Sequence, residues 1–262
     1  MFSLDQFHFN KSAFGEELIG KKSSENHFDD LISSSAFVRL EGKPPVLYLD
    51  LDLPVFDELW NPLNDLSFPR STRKTLGENN KSILFGGMSK SINRNYFCNF
   101  GAVASHDSVL HRLLSTKYST ILNRMMITAA GGWQNVNESL FKKSKIHEDY
   151  RLSESTWTSG IINKNSQQNY HFDDMNIKNM MSAMITLKHN VAGGYLTFPE
   201  YKVAFEVKNR SVIFFCGSNI LHGVSPISQL RDGKRYTVVY YTTEGLKHCD
   251  SYRDEIIKST TR

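Results

Sequence analysis

Short apolar runs broken by turn signals dominate the second half of the chain. From Thr156 onward they read TWTSGII, MMSAMITL, GGYLTF, KVAFEV, SVIFFC and RYTVVYYT, punctuated by Gly193-Gly194, Pro199-Glu200, Asn209-Arg210 and Asp232-Gly233. Apolar and β-branched runs at a spacing of about ten residues predict the strands of a sandwich or barrel. Upstream, residues 46–60 begin by alternation, with Leu47, Leu49, Leu51 and Leu53 on one face and Tyr48, Asp50 and Asp52 on the other. That pattern predicts a half-buried strand, then a turn or helix begun at Pro54. Residues 83–101 read as strand, glycine turn and strand. From Ser105 to about Ala130, Val109, Leu110, Leu113, Leu114, Tyr118, Ile121, Leu122, Met125 and Met126 recur at three and four. This predicts an amphipathic helix, capped by Ser105 or Asp107 and closed by Gly131-Gly132. Residues 1–45 read as short helices and loops and 61–82 as a surface loop, while 133–155 show no clear pattern. The expected architecture is mainly β with supporting helices (α+β): a single domain over 1–262, with a support region at 1–156 and a β core at 157–245.

Composition narrows the class without naming a function. Hydrophobic residues make up 40% of the chain, enough for a packed core, and 17 Phe, 11 Tyr and 3 Trp favour β structure. The net charge of +4 permits an anionic partner without requiring one. Cys98, Cys216 and Cys249 are an odd, sparse set with neither zinc spacing nor a disulfide framework, which suits a reducing compartment. The start MFSLDQFHFN lacks a basic segment followed by an apolar run, and no stretch of about 18 apolar residues exists. A soluble intracellular protein without membrane association is expected; oligomeric state is not legible.

The chemistry-bearing string occurs twice, as His27-Phe28-Asp29-Asp30 and as His171-Phe172-Asp173-Asp174. Context separates the copies. The first lies in a polar segment, where it is expected to cap a short helix. The second follows a strand, and SVIFFCGSNILHGVSPI delivers His222 at a strand end just before a turn. On a strand, His171 and Asp173 share one face. Two histidines and one carboxylate are the ligand set of a non-heme Fe(II) site with positions left open for a co-substrate and O₂. Arg235 opens the last apolar run, and a guanidinium on an inward-facing strand needs an anion. Its planar fork matches the distal carboxylate of 2-oxoglutarate. Thr237 shares its face and Asn163 is a further co-substrate candidate, as is Tyr170. Arg231, in the turn before Lys234, is the competing cation.

Together these residues resemble the Fe(II)/2-oxoglutarate dioxygenases, which are built on a double-stranded β-helix (a jelly-roll, cupin-like core). The resemblance covers about 157–245 and includes H-x-D, GGYLTFPEY, HGVSP and the arginine strand. It implies Fe(II), 2-oxoglutarate and O₂ as cofactors, with His171, Asp173 and His222 as metal ligands and Arg235 as the oxoglutarate anchor. The interval from His222 to Arg235 is a few residues longer than is common in that family, which keeps Arg231 open. The tail VVYYTTEGLKHC, and FGGMSKSINRNYFCNFG ahead of a long helix, look most like the TET/JBP branch, whose members oxidise the 5-methyl group of thymine or 5-methylcytosine in DNA. That implies Arg94 and Asn95 near substrate.

DNA as substrate requires cations for phosphates, and Arg70, Arg73, Lys74, Lys81, Lys90 and Arg94 are interleaved with Phe68, Phe85, Tyr96 and Phe97. A prolyl-hydroxylase-like protein hydroxylase, a small-molecule hydroxylase and a non-catalytic cupin-like binding module are the alternatives.

Overall fold

Each of the six apolar runs contains a strand in the computed structural model, which describes residues 4–12, 15–68, 81–89, 99–100 and 107–260. Along the chain the strands are β1 (Asp5–Phe9), β2 (Asp30–Ile32), β3 (Ala36–Leu40), β4 (Val46–Leu49), β5 (Lys81–Met88), β6 (Asn99–Phe100), β7 (Ser159–Lys164), β8 (Gln168–His171), β9 (Ser182–Gly193), β10 (Leu196–Phe198), β11 (Val203–Phe205), β12 (Ser211–Phe215), β13 (His222–Val224) and β14 (Ile227–Tyr241). The helices are α1 (Trp60–Asp65), α2 (Ser108–Arg112), α3 (Ser119–Ala129), α4 (Trp133–Ser144) and α5 (Tyr252–Thr260). The chain divides into two compact units, one of residues 1–82, 163–173 and 183–238, the other of 83–162, 174–182 and 239–262.

The first unit holds two sheets. The larger runs β1-β3-β4-β12-β9-β14 and the smaller runs β2-β11-β10-β13-β8. They face each other across aromatic side chains: Tyr48 on β4 meets Phe205 on β11 at 5.9 Å, and Phe198 on β10 meets Phe215 on β12 at 5.5 Å. Ring pairs at such separations add to the hydrophobic stabilisation of the layer between the sheets. The described part of residues 1–45 holds the expected short helical turns, Glu16–Leu18 and Glu25–His27, but also three strands that were not expected. β1 pairs parallel with β3, and β2 pairs parallel with β11. These short strands are held by partners far away in sequence, so local pattern did not reveal them. The alternation at 46–53 also stops early. All four residues of β4 are buried, and Asp52 turns the chain with φ 45. Asp50 and Asp52 leave the strand to pair with Lys208 and Arg210 at 2.9 Å each.

The second unit is helical with a short sheet. Asp107 caps α2 by accepting from Leu110 N at 2.8 Å, as its position before the apolar stripe predicts. A π-helical segment, Leu113–Tyr118, links α2 to α3, and Gly131 and Gly132 end α3 with positive φ. Leu110, Leu114, Tyr118, Leu122 and Met126 form the buried stripe, whereas Val109 is exposed. Gly86-Gly87 lies inside β5 and does not make the expected turn. A β-carbon at Gly86 would meet Thr158 O at 2.6 Å, so close backbone approach explains the glycine. The patternless stretch 133–155 contains α4, whose buried Asn137 brackets Met181 by donating to its carbonyl at 3.1 Å and accepting from its N–H at 3.0 Å. Cys249 is disulfide-bonded, against the expectation of no disulfide; Cys216 is a free buried thiol whose pKa burial raises to about 12. Among the described residues no helix is long and apolar enough to cross a membrane.

Candidate metal centre and anion pocket

β8 and β13 are antiparallel neighbours, and their register sets His171 opposite His222. His171 ends β8 and Asp173 follows two residues later. His222 opens β13 instead of ending the strand before it, because β12 stops at Phe215 and a turn intervenes. The imidazole rings lie 4.4 Å apart between centroids. Asp173 reaches both: Oδ1 is 3.6 Å from His171 Nε2, and Oδ2 is 3.9 Å from His222 Nε2. One donor atom from each residue falls within 4.8 Å of the others.

The ring orientations are fixed from behind. His171 Nδ1 donates to Asn169 O at 2.7 Å and His222 Nδ1 donates to Ile220 O at 2.9 Å. A carbonyl oxygen can only accept, so each Nδ1 carries the proton and each Nε2 turns a lone pair toward the cluster. Burial, reinforced by His171, lowers the His222 pKa to about 4 against the opposing pull of Asp173. Its ring is therefore neutral near pH 7, the form that binds metal. The Asp173 N–H donates to Gly217 O at 3.0 Å. A β-carbon at Gly217 would stand 2.2 Å from Asp173 Oδ2, so glycine clears space for the carboxylate. This donor set suits a divalent transition metal with coordination positions left over.

Arg235 lies within β14 and is 2% exposed. Among the described residues its Nε and Nη2 have no hydrogen-bond partner, and burial lowers its pKa to about 10. A buried guanidinium without an anion is an unsatisfied site of several kcal/mol, so the pocket fits a carboxylate ligand. Gly194, with φ +69, brings its backbone so near that a β-carbon would meet Arg235 Nε at 3.1 Å. Gly194 N also donates to Pro226 O at 2.9 Å, tying this turn to the segment that follows β13. Thr237 and Asn163 are buried, and Asn163 Nδ2 donates to Thr237 Oγ1 at 3.2 Å while its Oδ1 meets no partner among the described residues. Arg231 is exposed, and the backbone carbonyl of Arg231 accepts from Asn190. Lys188 was not anticipated. It donates to Gly193 O at 2.8 Å and lies over the Tyr195 ring, its pKa lowered by burial and then by Arg235, with Glu206 opposing. The Gly-Gly-Tyr turn was visible in the sequence; that a lysine five residues earlier would face it was not.

The duplicate string takes a different part. Ser24, not His27, caps the turn Glu25–His27; Asp29 pairs with Lys202 at 3.1 Å. His27 Nδ1 meets the Tyr170 hydroxyl at 3.1 Å. Tyr170 is buried with Leu18 and Leu221, so it belongs to this network and not to the pocket of Arg235. Asp174 is exposed and pairs with Lys178. Arg94 and Asn95, expected near substrate, lie outside the described residues.

Residues 116–244 match the Tet_JBP family, the oxygenase domain of the 2OGFeDO superfamily. Among solved structures, NgTET1 in complex with 5mC DNA is 17% identical over 92% of this chain and 89% of that chain, with a TM-score of 0.62. An oxidoreductase of the 2OG-Fe(II) oxygenase family from Burkholderia pseudomallei is 14% identical over 76% of this chain and 85% of that chain, with a TM-score of 0.47. OsALKBH1 is 15% identical over 75% and 97%, with a TM-score of 0.46. No curated protein matches the chain. The first likeness shows the fold, a double-stranded β-helix, in agreement with the two facing sheets.

Proposed function

Starting from the premise that the chain carries a Tet_JBP-type oxygenase domain of the Fe(II)/2-oxoglutarate superfamily, we propose that it hydroxylates the 5-methyl group of a pyrimidine base in DNA, 5-methylcytosine or thymine. The observation that carries the reading is the buried guanidinium of Arg235, whose Nε and Nη2 meet no hydrogen-bond partner among the described residues, in the same unit as the converging atoms of His171, Asp173 and His222. The substrate assignment is supported by the family match and by the shared fold with a TET protein solved with 5mC DNA.

In this reading His171 and His222 hold Fe(II) through Nε2 and Asp173 through its carboxylate. Iron with 2-oxoglutarate and O₂ supplies the oxidising power, giving succinate, CO₂ and a hydroxylated product. The protein's share is positioning. Asn169 O and Ile220 O hold the two rings in the metal-binding tautomer. Arg235 clamps the distal carboxylate of oxoglutarate as a fork, Thr237 and Asn163 offer further polar contacts, and Lys188 adds positive potential. The depth of the Arg235 pocket strengthens these contacts by keeping water away.

The test is turnover by purified protein with Fe(II) and oxoglutarate, with methylated DNA supplied or omitted, followed by mass spectrometry of the nucleosides. One oxygen gained on 5-methyldeoxycytidine or thymidine, with succinate in step, is the expected result. Succinate formed without any DNA product would sink the substrate assignment and direct the search to proteins and small molecules.

A further inference from the structure

We propose that Lys81, Lys164 and Lys234, clustered beside the half-buried rings of Trp60 and Phe68, form a docking surface for nucleic-acid backbone distinct from the iron site. The inference rests on DNA being the partner proposed above and adds a second place of contact to it. Alternation along β14 separates the two surfaces. Arg235 and Thr237 share the face that carries the anion pocket, so Lys234 and Tyr236 lie on the other.

Hydrogen bonds set the neighbours beside them. Asn165 N donates to Arg235 O at 2.8 Å, and Arg235 N donates to Asn165 Oδ1 at 2.6 Å, which brings Lys164 alongside Lys234 and Tyr236. Ser166 Oγ donates to Lys81 O at 3.4 Å, which brings in the start of β5. Lys164 Nζ stands 5.4 Å from the ring centroids of both Phe68 and Tyr236. Phe68 and Tyr236 are 6.0 Å apart and tilted by 31°, and Trp60 meets Tyr236 edge-on at 5.8 Å. Lys81 is exposed, Lys164, Lys234, Trp60 and Phe68 are half-buried, and Tyr236 is buried beneath them.

The three charges lie close enough to repel one another. Lys178, Lys202, Lys208, Lys247 and Lys258 each pair with a carboxylate. Among the described residues, no carboxylate forms an ion pair with Lys81, Lys164 or Lys234. Burial, then repulsion from Lys234 and Lys81, lowers the Lys164 pKa. The carboxylate felt nearby is exposed Asp65, at Tyr236. Three mutually repelling ammonium groups gain most from an anion that spans them all. A phosphate backbone does so, and the half-buried rings beside it give bases or sugars an apolar platform. In sequence, Phe68 and Lys81 flank Arg70, Arg73 and Lys74.

The experiment measures Kd for a labelled duplex DNA against salt concentration, using the whole chain and the variant Lys81→Gln/Lys164→Gln/Lys234→Gln. Loss of three phosphate contacts is expected to weaken binding at least about tenfold and to lower the slope of log Kd against log salt by about 2 to 3. A second variant, Lys81→Glu/Lys234→Glu, keeps the Lys164 ring contacts and guards against unfolding. Its Tm and its oxoglutarate affinity, measured with Mn(II), are expected to match the parent. Unchanged Kd and slope in this folded variant would overturn the docking surface, even if methyl oxidation of DNA were observed. Absence of DNA binding by the parent chain would overturn it too. Weakened binding without any oxidation of methylated DNA would uphold the surface and reject the substrate assignment.

Discussion

A β-carbon at position 217 would sit 2.2 Å from Asp173 Oδ2, far inside contact distance. Gly217→Ala must therefore move either the carboxylate or the turn that carries it. Displacing a metal ligand, or a group that orients one, costs 10- to 100-fold in affinity, on the order of the loss expected for Mn(II) binding to Gly217→Ala. Titration of the variant, with circular dichroism to show an intact fold, checks this; unaltered affinity would mean that the turn absorbs the methyl group freely. Arg235 offers a prediction of opposite sign for stability and binding. Its guanidinium is buried with Nε and Nη2 unpartnered among the described residues, so the surrounding protein leaves the charge poorly compensated. Arg235→Met fills similar volume without charge. It should raise unliganded stability by roughly 1–4 kcal/mol while abolishing tight oxoglutarate binding. Arg231→Met, at an exposed site, should change neither. Denaturation and oxoglutarate titration on both variants decide between the two arginines, and loss of oxoglutarate affinity in Arg231→Met would reverse the assignment.

At the scale of elements, α4 docks through Phe141 in a core cluster, the Glu138–Arg151 pair and the amide of Asn137. Asn137 is fully buried and bonds to both the N–H and the C=O of Met181 at the threshold of β9. Asn137→Ala strands two buried backbone groups, each costing about 1–3 kcal/mol when unpaired. A loss of roughly 2–4 kcal/mol is expected from urea denaturation; a change below about 0.5 kcal/mol would show that α4 docks by its apolar side chains alone. The same amide shows why this element was invisible in the sequence. Its partner lies 44 residues away, and with Phe141 and Asn137 as its buried residues α4 lacks the long apolar stripe that betrays α3. The cap at Asp107 was legible because its acceptor bonds to a residue three positions on. Likewise β9, β12 and β14 could be read from their own composition. β1 and β2 could not, because parallel pairing with β3 and β11 holds them. The two H-F-D-D strings show both sides of this limit. The strings are identical, and only the β8 strand before the second copy, with its partner strand at His222, distinguishes the candidate metal centre from a turn.

For the whole molecule, what matters most is that the candidate site lies in one of the two units. His171, Asp173, His222, Asn163, Arg235 and Thr237 all belong to the unit formed by 1–82, 163–173 and 183–238. The helices α2, α3 and α4 belong to the other. A ligand stabilises the conformations that bind it, by about 2.7 kcal/mol at a hundredfold excess over Kd. It slows hydrogen exchange only through openings that break its own site. Mn(II) with oxoglutarate should therefore protect amides of β8, β10, β13 and β14 that exchange by local opening. Amides of α3 and α4 that exchange by local fraying should keep their rates. Hydrogen-exchange mass spectrometry with and without the pair of ligands measures this directly. Protection confined to the first unit would show that its two sheets open independently of the helical unit. Equal slowing in α3 and α4 would mean that the chain opens as one cooperative body, so that the helical unit shares in every stabilisation that the iron site receives.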